Sequence, residues 1–172
     1  VEDYTDNQDF FQIENHQLEN SFYHPTKLWF QQGNLELSGV SLTGNIIVKS
    51  TSKITIDASC RLTDVLLIAP NIEITSQVKG NFQAIATESI IINPEVKLVY
   101  PSSLILYPEE GQFSKPTNTN NKQEKPKQLK IHKNVSLKGV IAYLGKYDPN
   151  NYDPQVYVEE ESEIIGEVYC SN

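Results

Sequence analysis

Methionine is absent from these 172 residues, tryptophan occurs once, cysteine twice and histidine three times. Basic residues are also few: 14 Lys and Arg against 22 Asp and Glu leave a net charge of −8. That balance argues against nucleic acid or an anionic membrane surface as partner, since both call for basic patches. No apolar run approaches the roughly 20 residues of a membrane-spanning helix, and no signal-peptide pattern precedes Val1. A chain that opens on Val1 and holds no Met reads as an excised or processed segment, with room upstream for a leader or anchor. Localisation is therefore open, and the cell envelope or an extracytoplasmic site is favoured where such an anchor exists. The length suits one domain with a real core.

What the chain does have is an apolar residue at every sixth position. Leu42, Val48, Ile54, Cys60, Leu66, Ile72, Val78, Ala84, Ile90 and Val96 form one series. Ile56, Leu62, Ile68, Ile74, Ala86, Ile92, Leu98 and Leu104 form a second, two residues later. An apolar-x-apolar triplet puts both apolar side chains on one face of a strand. Three such strands per turn make a coil of about eighteen residues, the mark of a parallel β-solenoid. The spacing predicts an all-β, single-stranded parallel β-helix of about six coils; it does not set the hand, for which right-handed is the expectation. Ile54, Ile72 and Ile90 should stack in one core ladder, and Ile56, Ile74 and Ile92 in another. Cys60 and Cys170 lie about four coils apart, roughly 19 Å at about 4.8 Å per coil, whereas a disulfide needs Cα atoms within about 7 Å. Both are expected as small apolar core residues.

In chain order, residues 1–33 break the period, are rich in acids and hold Phe10, Phe11, Phe22, Tyr23, Trp29 and Phe30. They are expected as a lead-in whose aromatic part near Phe22 to Phe30 caps the first coil, with the β-helix domain running over 34–172. A finer repeat sets Gly or Asp between apolar residues: Leu42-Thr43-Gly44, Leu62-Thr63-Asp64, Val78-Lys79-Gly80, Leu137-Lys138-Gly139 and Ile165-Gly166. Gly44, Asp64, Gly80, Gly139 and Gly166 are the expected corners, because Gly and Asp tolerate the positive φ of a bend. The six-residue phase and the corner phase disagree at Asp64, which predicts a local bulge. Two polar excursions, 109–128 and 146–154, leave the coil, and the period resumes at Leu129.

The apolar-x-Gly-x-apolar corners with coils near eighteen residues resemble the bactofilins, bacterial polymer-forming cytoskeletal proteins built on a right-handed parallel β-helix. The resemblance runs from about Leu35 to Cys170. It implies a structural protein that self-associates. The sequence is also similar to β-helix regions of bacterial proteins that hang from a single N-terminal hydrophobic helix. Hexapeptide-repeat acyltransferases share the six-residue period, but they favour a small residue straight after the apolar one, where this chain holds Thr43, Lys49, Thr55 and Arg61.

Several residues invite a chemical reading, each beside a plainer one. His132 has the residue type of an acyltransferase base, against an outward-facing strand histidine. His16 and His24, with Glu19 between, are ligand types in a solvated lead-in. Asp148, Asn150 and Asp153 place oxygens at short intervals as calcium requires, and equally as an Asn/Asp/Pro turn does. Asp57, Asp64 and Arg61 are polysaccharide-lyase residue types on one polar corner. Asn134-Val135-Ser136 matches the N-glycosylation pattern. Tyr100, Tyr107, Tyr143 and Tyr147 would stack sugars if they lined one groove.

The expectation is a non-catalytic module for assembly or surface presentation, with no catalytic residue, metal or cofactor assigned. Its partner is protein: a strand-forming, uncapped end from Ile164 to Cys170 is a template for self-association or for a neighbouring chain. The alternatives are a carbohydrate-binding or carbohydrate-cleaving β-helix and, behind it, a hexapeptide-type acyltransferase. Carbohydrate thus stays among the partners and nucleic acid does not.

Overall fold

The computed structural model describes residues 16–108, 127–146 and 153–171. Among them are thirteen strands and no α-helix: β1 (Gln17–Asn20), β2 (Lys27–Gln31), β3 (Leu35–Leu37), β4 (Ser41–Gly44), β5 (Ile46–Ser50), β6 (Lys53–Ile56), β7 (Arg61–Ile74), β8 (Lys79–Ile92), β9 (Lys97–Leu106), β10 (Gln128–Ile131), β11 (Ser136–Tyr143), β12 (Val156–Val158) and β13 (Glu163–Cys170). All belong to one sheet system whose longest line of pairing runs β1-β4-β7-β8-β9-β11-β13. Every pairing is parallel. Such an all-β arrangement fits a parallel solenoid, each strand resting on the one a repeat earlier.

Parallel register stacks like on like. Leu35, Ile54, Ile72, Ile90 and Leu129 are successive partners, as are Leu37, Ile56, Ile74, Ile92 and Ile131. All ten are 6% exposed or less. Each such side chain contributes about 2 kcal/mol through burial, so the two lines are a large part of what holds the levels together. The buried polar side chains are satisfied: Ser50 Oγ donates to the Gly33 carbonyl at 2.6 Å and Ser102 Oγ to that of Val99 at 2.6 Å. Asn20 Nδ2 donates to the Asn45 carbonyl at 2.7 Å.

Three expectations need correction. First, the stack begins earlier than the period suggests. β1 and β2 lie inside the segment expected as a cap, yet they pair in parallel with β4 and β5. Trp29 is buried, while Phe22 and Tyr23 are 69% and 99% exposed and cap nothing. The long connection 21–26 hides this level, because a six-residue count measures corner length as much as core. Residues 1–15 lie outside the described residues, as do 109–126 and 147–152.

Second, Leu66 and Ile68 do not face the core. The register of β7 on β8 skips one residue between Thr63 and Val65. Asp64 sits there at φ 57, its Oδ1 accepting from Asn81 Nδ2 at 2.8 Å. One extra residue turns the following strand over, so Val65, Leu67 and Ala69 are the buried set. A second skip, between Ala69 and Asn71, restores the phase before Ile72.

Third, the expected corners are of two kinds. Gly44, Asp64, Gly139 and Gly166 have φ of 91, 57, 150 and 146. Gly80 has no such φ and pairs with Leu62 inside a strand, where a Cβ would stand 2.6 Å from the Leu62 carbonyl oxygen. It is glycine for closeness of backbone, not for a bend.

Candidate functional site

At the corner where the Ile74-type strand ends and the next level begins, the chain makes the same tight turn repeatedly. Gln77, Glu95, Asn134 and Glu161 occupy it at φ 67, 66, 59 and 59. These left-handed corners carry no glycine, so the apolar-x-Gly pattern passed over them. At Gln77, Glu95 and Asn134 a short polar stretch between a buried Ile and a buried Val was the available signal. Successive corners are tied together: Gln77 Nε2 donates to Glu95 Oε2 at 2.9 Å.

Stacking the corners leaves a groove of ≈ 1100 Å³ along the line where each new level starts. Its floor includes Cys60, whose thiol burial pushes above its ordinary value. One wall is the first residue of successive strands. Lys79 and Lys97 are register partners, as are Lys97 and Ser136, and Ser136 and Glu163. Leu62 pairs with Gly80, which sets Arg61 beside Lys79. Three cations therefore stand on three consecutive levels, all exposed. The ion pairs among the described residues are Lys53–Glu73, Lys130–Glu159 and His132–Glu159, so Arg61, Lys79 and Lys97 form none there. Like charges directly opposite destabilise a sheet, and the carboxylates of Glu95, Glu161 and Glu163 line the same groove.

A second feature is the outer surface of the β5 and β7 face. Phe30, Lys49, Ile68, Ile85, Ile105, Ala142 and Tyr169 are successive register partners pointing away from the core. Leu28, Ile47 and Leu66 run alongside. Apart from Lys49 the line is apolar, and most of it is half-buried.

The residues singled out for chemistry are scattered. Asp57 accepts from the backbone N–H and Oγ of Ser59 at 2.9 and 2.6 Å, and those bonds hold its carboxyl below the usual range. Asp64 is at another corner, bound to Asn81, so Asp57 and Asp64 do not share a site with Arg61. His132 Nδ1 lies 3.1 Å from Glu159 Oε1, with Lys130 Nζ 3.4 Å from the same oxygen. Desolvation opposes ionisation of Glu159, yet His132 and Lys130 together hold its carboxyl below its ordinary value. His16 and His24 are exposed. No group of three or more His, Cys, Asp or Glu able to hold a metal occurs among the described residues. Of the calcium candidates, Asp153 is exposed, and Asp148 and Asn150 lie outside the described residues. Tyr143 is buried, whereas Tyr100 and Tyr107 are exposed and Tyr147 lies outside the described residues. Asn134 is exposed at its corner, and Val135 beside it is buried. Cys60 is buried as expected, but Cys170 is exposed. Cys170 pairs with buried Tyr143 and has the inward phase, but no further strand among the described residues covers it.

No helix of the described residues is long and apolar enough to cross a membrane. Comparison with family models, curated proteins and solved structures found no match for this chain.

Proposed function

We propose that the chain is a right-handed, single-stranded parallel β-helix of about six coils serving as a non-catalytic module for assembly or surface presentation, of the bactofilin-like, polymer-forming bacterial kind. Right-handedness rests on the hand of connections between parallel strands. The observation that carries the function is the apolar line Ile68, Ile85, Ile105 on the outside of the sheet, with Ile47 and Leu66 alongside. Outward positions on a solvated sheet are ordinarily polar, and a contiguous apolar patch there marks a protein contact.

β13 adds a second contact surface. Val168 and Tyr169 are 54% and 55% exposed, whereas their partners Ile141 and Ala142 are buried. Its outer backbone edge, unpaired among the described residues, and its apolar side chains are a template for a further strand layer. Association through this strand, with a second copy or a neighbouring chain, is the mode we propose, opposed by Glu159, Glu160, Glu161 and Glu163 nearby. Analytical ultracentrifugation at low and high salt tests it. Salt screens the acidic repulsion, so association should strengthen with salt and weaken in Val168→Lys. A strictly monomeric species at both ionic strengths, at concentrations near millimolar, contradicts the reading. A second reading, carbohydrate binding rather than cleavage or hexapeptide-type acyl transfer, is favoured by the cationic wall of the groove.

A further inference from the structure

The last two described levels are sorted by charge. Residues 127–146 hold five Lys and no Asp or Glu, whereas 153–171 hold six Asp and Glu and no Lys or Arg. The levels 16–40, 41–60, 61–78 and 79–96 each stay within one charge of neutral. β10 and β11 belong to the basic level, β12 and β13 to the acidic one, and they pair in parallel, strand on strand. The contacts follow the charge. Glu159 Oε1 lies 3.4 Å from Lys130 Nζ and 3.1 Å from His132 Nδ1, and Glu159 Oε2 accepts from the Lys133 N–H at 3.2 Å. The acidic level thus rests on a basic one, but its other side lacks the like among the described residues. Glu160, Glu161, Glu163 and Glu167 are exposed there and form no ion pair among the described residues. Val158 and Val168 have the inward phase and are 40% and 54% exposed, although Ile131 and Ile141 beneath them are buried.

We infer that the open side of β12 and β13 takes a basic β-strand segment of another protein, added as one further level. Its apolar residues would lie over Val158, Ile164 and Val168, with Lys or Arg at the outward positions between them. The inference rests on the reading of β13 as a docking edge and supplies the partner. The inner side of the same strands shows the chemistry that fits them: Lys130 and Lys138 point outward between the buried Leu129, Ile131 and Leu137. Opposite charges on neighbouring strands stabilise a sheet, and like charges directly opposite do the reverse. A second copy is therefore the poorer partner. Its own β12 and β13 repeat the same acids. Its first level offers Lys27 against Glu19 and Glu36, and the inward residues there, Trp29, Leu35 and Leu37, are already 6% exposed or less. Backbone pairing and apolar contact supply the affinity of such an added strand, and the acids select which strand is accepted.

The test titrates the whole chain into three labelled peptides of the length of β13, eight residues, and reads fluorescence anisotropy. One alternates lysine with valine, one threonine with valine and one glutamate with valine. The lysine peptide should bind, the threonine peptide about tenfold more weakly, as several modest exposed pairs together would give, and the glutamate peptide not at all. Salt should weaken the lysine peptide, the opposite of its effect on self-association. Val168→Ser should weaken both the lysine and the threonine peptide. The double variant Glu163→Gln, Glu167→Gln should weaken the lysine peptide alone, and Glu36→Gln, the same charge change at the far end of the stack, should alter neither. All of these side chains but one are at least half or fully solvent-facing strand residues of the last level or, for Glu36, of the first, and circular dichroism checks that each variant is folded. Failure of all three peptides would overturn the docking edge itself. Equal binding of the lysine and threonine peptides, or preference for glutamate, would leave the edge standing and overturn the basic partner. Lysine-peptide binding indifferent to Val168→Ser, or equally reduced by Glu36→Gln, would show charge attraction away from this edge and overturn the inference.

Discussion

Replacing Leu67 by Lys places an ammonium inside the stack with no partner, at a site 0% exposed. The expected loss is about 4 kcal/mol. The same change at Leu66, one residue earlier and outward, should cost about 1 kcal/mol or less. Urea denaturation of the two variants measures the difference, and equal losses would contradict the flip at Asp64. A six-residue count put Leu66 and Ile68 in the core because it has no means of registering one extra residue. The disagreement of phases at Asp64 was legible in the sequence. Its consequence, that two apolar side chains turn outward, required the register. Titration offers a further test. Glu73 is held below the ordinary carboxylate value of 4.5, first by its hydrogen bond to Lys53 at 2.5 Å. A lowered native value means that its stabilisation is complete above that ordinary value and fades as pH falls through the native one. Glu73→Gln should therefore cost up to about 1 kcal/mol near neutrality, since both partners are partly solvated. That cost should vanish in strong acid. A pH-independent difference would contradict the assigned role.

Strands here are specified unevenly. The Ile ladders were legible because β6 and the ends of β7 and β8 keep both the period of two and the repeat of eighteen. β1 and β2 were not, since the connection between them is longer and few inward residues mark them. β9 shows the same effect in reverse: between Gly80 and Gln83 of β8 its register slips, and Val99 and Tyr100 stand out at 52% and 77% exposure. Tyr100 was read as a sugar-stacking residue, but it and Val99 sit on surplus backbone. The groove was illegible for another reason. Arg61, Lys79 and Lys97 look like scattered surface charges until the stacking makes them neighbours. Glycine tests the pairing of β11 with its neighbours. Gly139 has φ 150, and an added Cβ would run into the Ser102 carbonyl oxygen on β9. Gly139→Ala should cost about 2–4 kcal/mol from strain and overpacking together. A melting temperature unchanged from the parent would show that β9 and β11 do not approach as described.

At the scale of the whole molecule, every surface named above exists only if successive levels lie in register. The apolar line, the open face of β13 and the cationic wall are each assembled from residues far apart in sequence. Glu36, Thr55, Glu73, Ile91, Lys130 and Tyr157 form one outward line of register partners, with Glu36 and Tyr157 exposed at its two ends. The most direct measurement is the distance between nitroxide labels at Glu36→Cys and Tyr157→Cys, after Cys60→Ala and Cys170→Ser, by double electron–electron resonance. Five level spacings predict a distribution centred near about 24 Å, widened by the label tethers. A single narrow population there is the expected result. A distribution centred beyond about 40 Å, or one with no dominant distance, would contradict the stack and with it the surfaces assembled on it.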